Sequence, residues 1–159
     1  MEIKYMKDGK LQVSNARIIY RNFAGVGSKF NREGERNFSI VIPNQEIADE
    51  LIADGWNVKI KPPREDFDEP FMHLQVKVKF NDRGPGVYVR SLDRVTRLNE
   101  ETAGMVDEID ISSVDMDIRP YNWEVNGKTG KTAYLENIEV IQNIDRFGAR
   151  YIEEGIEIR

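Results

Sequence analysis

Met72-His73-Leu74-Gln75-Val76-Lys77-Val78-Lys79-Phe80 is the stretch on which the fold turns. Met72, Leu74, Val76, Val78 and Phe80 alternate with His73, Gln75, Lys77 and Lys79. Successive side chains of a strand point to opposite faces, so this pattern predicts a strand with one face in a core and a polar, cationic face opposite. The segment before it repeats the arrangement, with Trp56, Val58 and Ile60 on one face and Asn57, Lys59 and Lys61 on the other. If the two strands are neighbours, four lysines stand together. Like charges side by side cost stability unless something negative answers them, and a phosphate backbone would do so. The plainer alternative is that the lysines are the solvated side of an edge strand, kept charged to prevent edge-to-edge pairing.

Outward from this pair, alternation recurs in short runs bounded by Gly, Pro, Asn and Asp. It predicts strands over residues 13–22, 36–42, 56–61, 72–80, 86–92, 109–119, 121–126 and 131–141, with a turn at 126–130 joining the last two. One segment breaks the pattern. Asn44 is a good N-cap, Ile47, Ala48, Leu51 and Ile52 recur at helical spacing, and Gly55 supplies the stop, which predicts a short amphipathic helix. A second helical turn, capped by Asn99, is expected over 100–106. Many short strands with one or two short helices inserted predict a mainly β fold, an OB-fold-like antiparallel barrel, closed or partly closed so that few edges are exposed. A β-sandwich is the alternative that alternation alone does not separate.

With 159 residues the chain suits one domain, read as residues 1–144 followed by a C-terminal tail, 145–159, in which alternation is lost. The absence of cysteine excludes disulfides, thiolate metal sites and a cysteine nucleophile, and fits a reducing cytoplasm. No apolar run approaches the roughly 20 residues of a membrane span, and the first residues lack a secretory h-region. The expectation is therefore a cytoplasmic protein without membrane contact.

Formal net charge is −5, which taken alone argues against a nucleic-acid partner. The average conceals an asymmetry. Residues 1–99 carry 17 Lys and Arg against 14 Asp and Glu, a net of +3, whereas residues 100–159 carry 6 against 14, a net of −8. Basic residues thus concentrate where the lysine strands are.

Two further stretches interleave rings with cations. In the first, Arg21 and Phe23 precede a Gly-rich bend, then come Lys29, Phe30 and Arg32, then Arg36 and Phe38. Such a loop suits unpaired nucleic acid, because any base stacks on a ring while cations track phosphates. Phe38 shares a face with Ile40 and Ile42 and reads as core, and Tyr20 aligns with Ile18 and is a poor candidate for the same reason. Phe30, set among Asn, Lys and Arg, is the better stacking residue. In the second stretch, Arg119-Pro120-Tyr121-Asn122-Trp123 leads into Lys128, Lys131 and Tyr134. Pro120 is expected to interrupt strand pairing, and Tyr121 and Trp123, two residues apart, would form a platform for two bases. Alternatively, Trp123 and Val125 are core and Tyr121 caps the barrel.

Enzymatic readings find little support. The single histidine, His73, lies among lysines and specifies no catalytic set. Gly127-Lys128-Thr129 lacks the earlier glycine and the strand-to-helix context of a phosphate loop. The acidic runs at 65–69 and 107–110 could in principle hold Mg²⁺ for a nuclease, but charge runs are usually solvated loops. No cofactor and no metal site is assigned.

The segments RNFAGVGSKFNREGERNFSIVIPN, DGWNVKIKPP, HLQVKVKF and RPYNWEVNGKTGKTAYL, spread over residues 14–141, resemble phage and prophage single-stranded DNA-binding proteins, similar in role and fold to those of T7-like phages. That resemblance implies an OB-fold, binding of single-stranded DNA through basic and aromatic side chains in replication or recombination inside a bacterial host, and replication or recombination proteins as partners. Self-association stays open. It singles out Arg21, Phe23, Lys29, Phe30, Arg32, Arg36, Lys59, Lys61, Tyr121 and Trp123, to which the strand pattern adds Lys77, Lys79, Lys128 and Lys131. Proteins of this role often end in a strongly acidic tail, whereas here Glu153, Glu154 and Glu157 are diluted by Arg150, Ile152, Ile156, Ile158 and Arg159. A phage structural or adaptor domain that binds other proteins is the reading from a different class.

Overall fold

The strand that decides the fold sits in the middle of it. In the computed structural model, which describes residues 1–63 and 70–144, Phe71–Val78 forms strand β6 with Met72, Leu74, Val76 and Val78 buried. Its polar edge partner is β5 (Val58–Lys61), registered antiparallel so that Lys59 lies opposite His73 and Lys61 opposite Phe71. On the same edge, further along, β10 (Lys128–Gln142) runs parallel to it with Tyr134 opposite Lys77. The other edge carries β4 (Arg36–Val41), antiparallel, and beyond that β3 (Ile18–Asn22).

β10 is also the long partner of β9 (Ile111–Val125), which in turn pairs with β2 (Leu11–Ala16) and then β1 (Glu2–Tyr5). β7 (Gly86–Ser91) lies parallel to β10, and β8 (Arg94–Leu98) hangs antiparallel on β7. The order β1-β2-β9-β10-β6-β4-β3, with β5 added on β6 and β7 and β8 branching from β10, makes one ten-stranded sheet that curls around a shared apolar core without closing among the described residues. This is an OB-like, mainly β architecture. Its two parallel pairings, β10 with β6 and β10 with β7, depart from the all-antiparallel expectation.

The helix forms for the reasons its sequence gives. The Asn44 side chain accepts the Ile47 amide at 2.9 Å, α1 spans Gln45–Ala53, and Ala48 and Leu51 bury its inner face. Ile52, expected on that face, is exposed instead. Gly55, at a positive φ of 98°, turns the chain out of the helix. The second helical turn is a single 3-10 segment, Ala103–Asp107, and Asn99 accepts the amides of Glu101 and Thr102 before it.

Several boundaries differ from the alternation pattern, each for a local reason. Residues 13–22 form two strands, not one: β2 passes through a bulge in which Asn15 has a positive φ of 53° and ends at Ala16 on β9, and β3 starts at Ile18 on a different partner, β4. β9 continues straight through Pro120, which pairs with Ala133. The ring is tolerated because β2 ends its pairing at Leu11 opposite Ile118, so no partner asks Pro120 for an amide hydrogen. The β9–β10 turn is shorter than expected, only Asn126-Gly127, both at positive φ as a tight two-residue hairpin requires. β1 and β8 were not expected at all; their residues are mostly exposed and carry little periodicity. No helix among the described residues is long and apolar enough to cross a membrane. The expected tail, 145–159, and the acidic run 65–69 lie outside the described residues.

Candidate nucleic-acid interface

Register alone assembles a face. Lys59 and Lys61 on β5 lie beside His73 and Phe71 on β6; Gln75 and Lys77 continue along β6; Asn37 and Ser39 on β4 face Lys77 and Gln75. Across the other edge Tyr134 stands opposite Lys77, and Arg119 opposite Tyr134. Tyr121 and Lys128 continue the same side of the β9–β10 hairpin. Lys59, Lys61, Lys77 and Lys79 are all exposed. Among the described residues, ion pairs engage Lys10, Arg36, Arg90 and Lys131 but none of these four.

The loop between β3 and β4 folds onto one end of this face. Asn22 ties its stem, donating to the carbonyls of Val26 and Glu35 and accepting the Val26 amide. Ser28 accepts the amides of Phe30 and Asn31, and the Asn37 side chain donates to Asn31 at 2.8 Å. The result is an open trough of about 500 Å³ lined by Phe30, Asn37, Gln75, Lys77, Lys79 and Tyr134. Phe30 is 86% exposed, with only the Lys29 ammonium 5.8 Å from its centroid. Tyr134 is half-buried, with Arg119 5.3 Å over its ring and the Tyr121 edge at 6.4 Å; Tyr121 itself is exposed. Exposing rings of this size forfeits burial that would stabilise each by about 1.5–3 kcal/mol, so they are not there for the core.

Other expected residues serve the fold. Phe23 is fully buried and stacks on Phe38 at 5.2 Å, so it has no ring face to offer a base. Arg21 donates to the carbonyls of Val106 and Ile109, at 2.7 and 2.8 Å. Both displacements have one cause. β3 carries one extra residue between Ile19 opposite Ser39 and Asn22 opposite Asn37, and a one-residue slip moves every later side chain to the other face. Arg36 donates to the Phe23 carbonyl, pairs with Glu100 at 3.1 Å and lies over Phe80, pinning the loop stem. Lys131 points away from the face, pairs with Asp54 at 2.9 Å and covers the Trp56 ring. Trp56 is 3% exposed and donates its indole N–H to Asp54. Trp123 is half-buried, its ring packed over Gly130, where any Cβ would collide with it. The tryptophan lies on the face, but one side of it is taken. Arg32 and Lys128 are exposed, at the loop and the hairpin tip.

His73 is the surprise of the strand. Expected outward among the lysines, it is 6% exposed, its Nδ1 3.0 Å from the Ser39 hydroxyl, covered by Phe71 stacked at 5.5 Å and by the edge contact of Tyr20 at 5.7 Å. Burial, then Lys59 and Lys61, holds its pKa below the usual histidine value. Tyr134, Gln75, Asn37 and Arg119 are the face residues that the sequence did not commit to; pairing register was the missing information.

Among the described residues no group of three or more His, Asp or Glu side chains is placed to hold a metal ion. The acidic run at 107–110 has structural duties: Asp107 accepts the amides of Phe23 and Ala24, and Asp110 accepts from Asn143.

An OB-like sheet that gathers lysines and uncovered rings along one open face defines a class, the β modules that hold an extended anionic polymer carrying flat rings. Comparison with known proteins narrows it. The chain belongs to the phage single-stranded DNA-binding family, whose model, described as "Putative phage ssDNA-binding domain", matches residues 1–156. Among solved structures, the single-stranded DNA-binding protein of bacteriophage Enc34 in complex with ssDNA superposes with a TM-score of 0.56 at 20% identity, covering 92% of this chain and 93% of that one. Its C-terminally truncated form gives 0.54 at 18% identity, over 90% and 91%. At such identities the likeness is one of fold. The bacteriophage T7 single-stranded DNA-binding protein, at 0.42 and 11% identity over 96% and 95%, is too distant to carry an argument. No curated protein matches the sequence.

Proposed function

We propose that this protein binds single-stranded DNA without sequence preference, along the face made by β5, β6, β10 and β9, and carries out no covalent step. Lys59, Lys61, Lys77, Lys79, Arg119 and Lys128 follow the phosphates, with Lys29 and Arg32 completing the loop side. Phe30, Tyr121 and Tyr134 stack bases, and one side of Trp123 extends that platform. Family membership supports the substrate. The observation that carries the reading is the coincidence, on one sheet face of a chain of net charge −5, of four lysines outside the described ion pairs with a ring 86% exposed. Duplex DNA would present its phosphates but hide its bases from these rings. The setting is the coating of replication or recombination intermediates in the cytoplasm of a phage-infected bacterium.

The test is a titration with fluorescent oligo-dT and a duplex of equal length across a salt series. The expected result is preference for the single strand and a log–log salt slope of about 0.7 per phosphate neutralised. Tight binding that ignores salt, or equal affinity for the duplex, contradicts the reading.

A further inference from the structure

Tyr20 sits where a tyrosine has no conformational reason to be. Its φ is 53°, in the left-handed region that a bulky side chain avoids, and it is the extra residue of the β3 bulge. In an unbulged strand, alternation from Ile18 would turn Tyr20 into the core beside Phe38. The bulge instead leaves its ring 59% exposed on the polar face. Strain of this kind persists where the surroundings hold it, and it clusters at sites of function.

The surroundings are built. The ring stands edge-on to His73, against which Phe71 stacks and which the Ser39 hydroxyl meets at Nδ1. Lys61 lies 5.4 Å over the Tyr20 centroid with its ammonium 3.5 Å from the phenol oxygen, and Lys59 is the neighbour opposite His73. We infer that Tyr20, with Lys59 and Lys61, forms a second nucleotide subsite for single-stranded DNA, at the opposite end of β6 from the Phe30–Tyr134 trough. This rests on the proposed function and extends it: the strand would run the length of β6. The exposed contact between Lys61 and the ring is weaker than base stacking, so an arriving base takes the ring and releases the ammonium to a phosphate.

Tyr20→Gly is the decisive variant, because glycine accepts the positive φ while removing the ring. It is expected to keep or raise the thermal midpoint and to weaken oligo-dT binding by about threefold to tenfold, with Tyr20→Phe near wild type. Wild-type affinity in Tyr20→Gly overturns the subsite, as does a Tyr20→Gly protein that fails to fold, since the ring would then be structural. A Tyr20→Phe protein as weak as Tyr20→Gly overturns the stacking role. If the unaltered protein binds no oligo-dT, the broader reading falls. If it binds, and Phe30→Ala weakens it while Tyr20→Gly does not, only this subsite falls.

Discussion

The long β9–β10 hairpin has two halves that face outward with opposite character. Past the bulge at Glu136, Asp115 and Asp117 on β9 stand beside Glu139 on β10, with Gln12, Ser14 and Tyr88 completing a shallow cleft. On the near side of the same bulge, Arg119 and Tyr121 stand beside Thr132 and Tyr134, next to Lys77. One ribbon thus carries an anionic region and a cationic, ring-bearing region a few residues apart. Net charge is a statement about solubility and nonspecific attraction; the field that a ligand meets is local. Salt screens exposed charges over about 10 Å, so each region acts mainly on what lies next to it. The acidic half would repel a polyanion, so the proposed path along the other half avoids it.

Exchanging the characters of the two regions gives the largest expected effect. Lys59→Glu with Lys77→Glu should lower oligo-dT affinity by at least about tenfold at low salt and flatten the log–log slope by about 1.4, two phosphates at about 0.7 each. Asp115→Lys with Asp117→Lys, an equal number of reversals in the acidic half, should leave the slope unchanged. Anisotropy titrations at four salt concentrations distinguish the pair. If both variants shift the slope equally, binding responds to total charge and the comparison fails.

Removal of single rings comes next. Phe30→Ala and Tyr134→Ala should each cost about 1–3 kcal/mol of binding, roughly 5- to 150-fold, without changing the salt slope, because stacking releases no counterions. Tyr88→Ala, on the acidic side, should leave affinity as it was. Affinities of the three, measured side by side, would sink the assignment if Tyr88 mattered as much as Phe30. Intrinsic fluorescence gives a smaller and more local signal. Trp56 is sealed beneath Lys131, whereas Trp123 keeps one side open on the face, so oligo-dT should quench a Trp56→Phe protein but scarcely a Trp123→Phe protein. Equal quenching in both would place the DNA elsewhere.

What could be read from the sequence, and what could not, follows from the range over which each feature is written. Alternation is written two residues apart, and it located β6, the core and the lysine face. A bulge is one unpaired residue whose existence depends on the partner strand; the extra residue at Tyr20 therefore sent Arg21 and Phe23 to the wrong side, and Glu136 resets the parity of β10 in the same way. Partners distant in sequence are hidden too. Arg36 and Lys131 looked like free cations, but Glu100 and Asp54 meet them from 64 and 77 residues away. Alternation also assigns a face without saying what covers it. His73 does point to the lysine side, and the rings of Tyr20 and Phe71 then bury it.

That buried histidine yields the smallest expected effect and a test of how strongly the lysines act on one another. Burial, Lys59 and Lys61 lower its pKa below the ordinary 6.5, so between the lowered value and 6.5 the unfolded chain binds a proton that the native protein does not. Stability contributed by neutral His73 is therefore full above about pH 6.5, declines as pH falls below it, and stops declining once the native histidine is itself protonated. A phosphate seated on Lys59 and Lys61 offsets two of the three causes and raises the native pKa, so the complex takes up a fraction of a proton. Oligo-dT affinity should accordingly rise by about twofold on going from pH 7.5 to pH 5.5, and unfolding in urea should shift to lower denaturant over the same range. Carboxylates shared by every variant contribute a background to both profiles, so the comparison is with His73→Gln, in which both slopes should be shallower. Identical profiles in the two proteins would mean that His73 keeps one protonation state throughout, and that the lysines of β5 reach the DNA without sensing the ring beneath them.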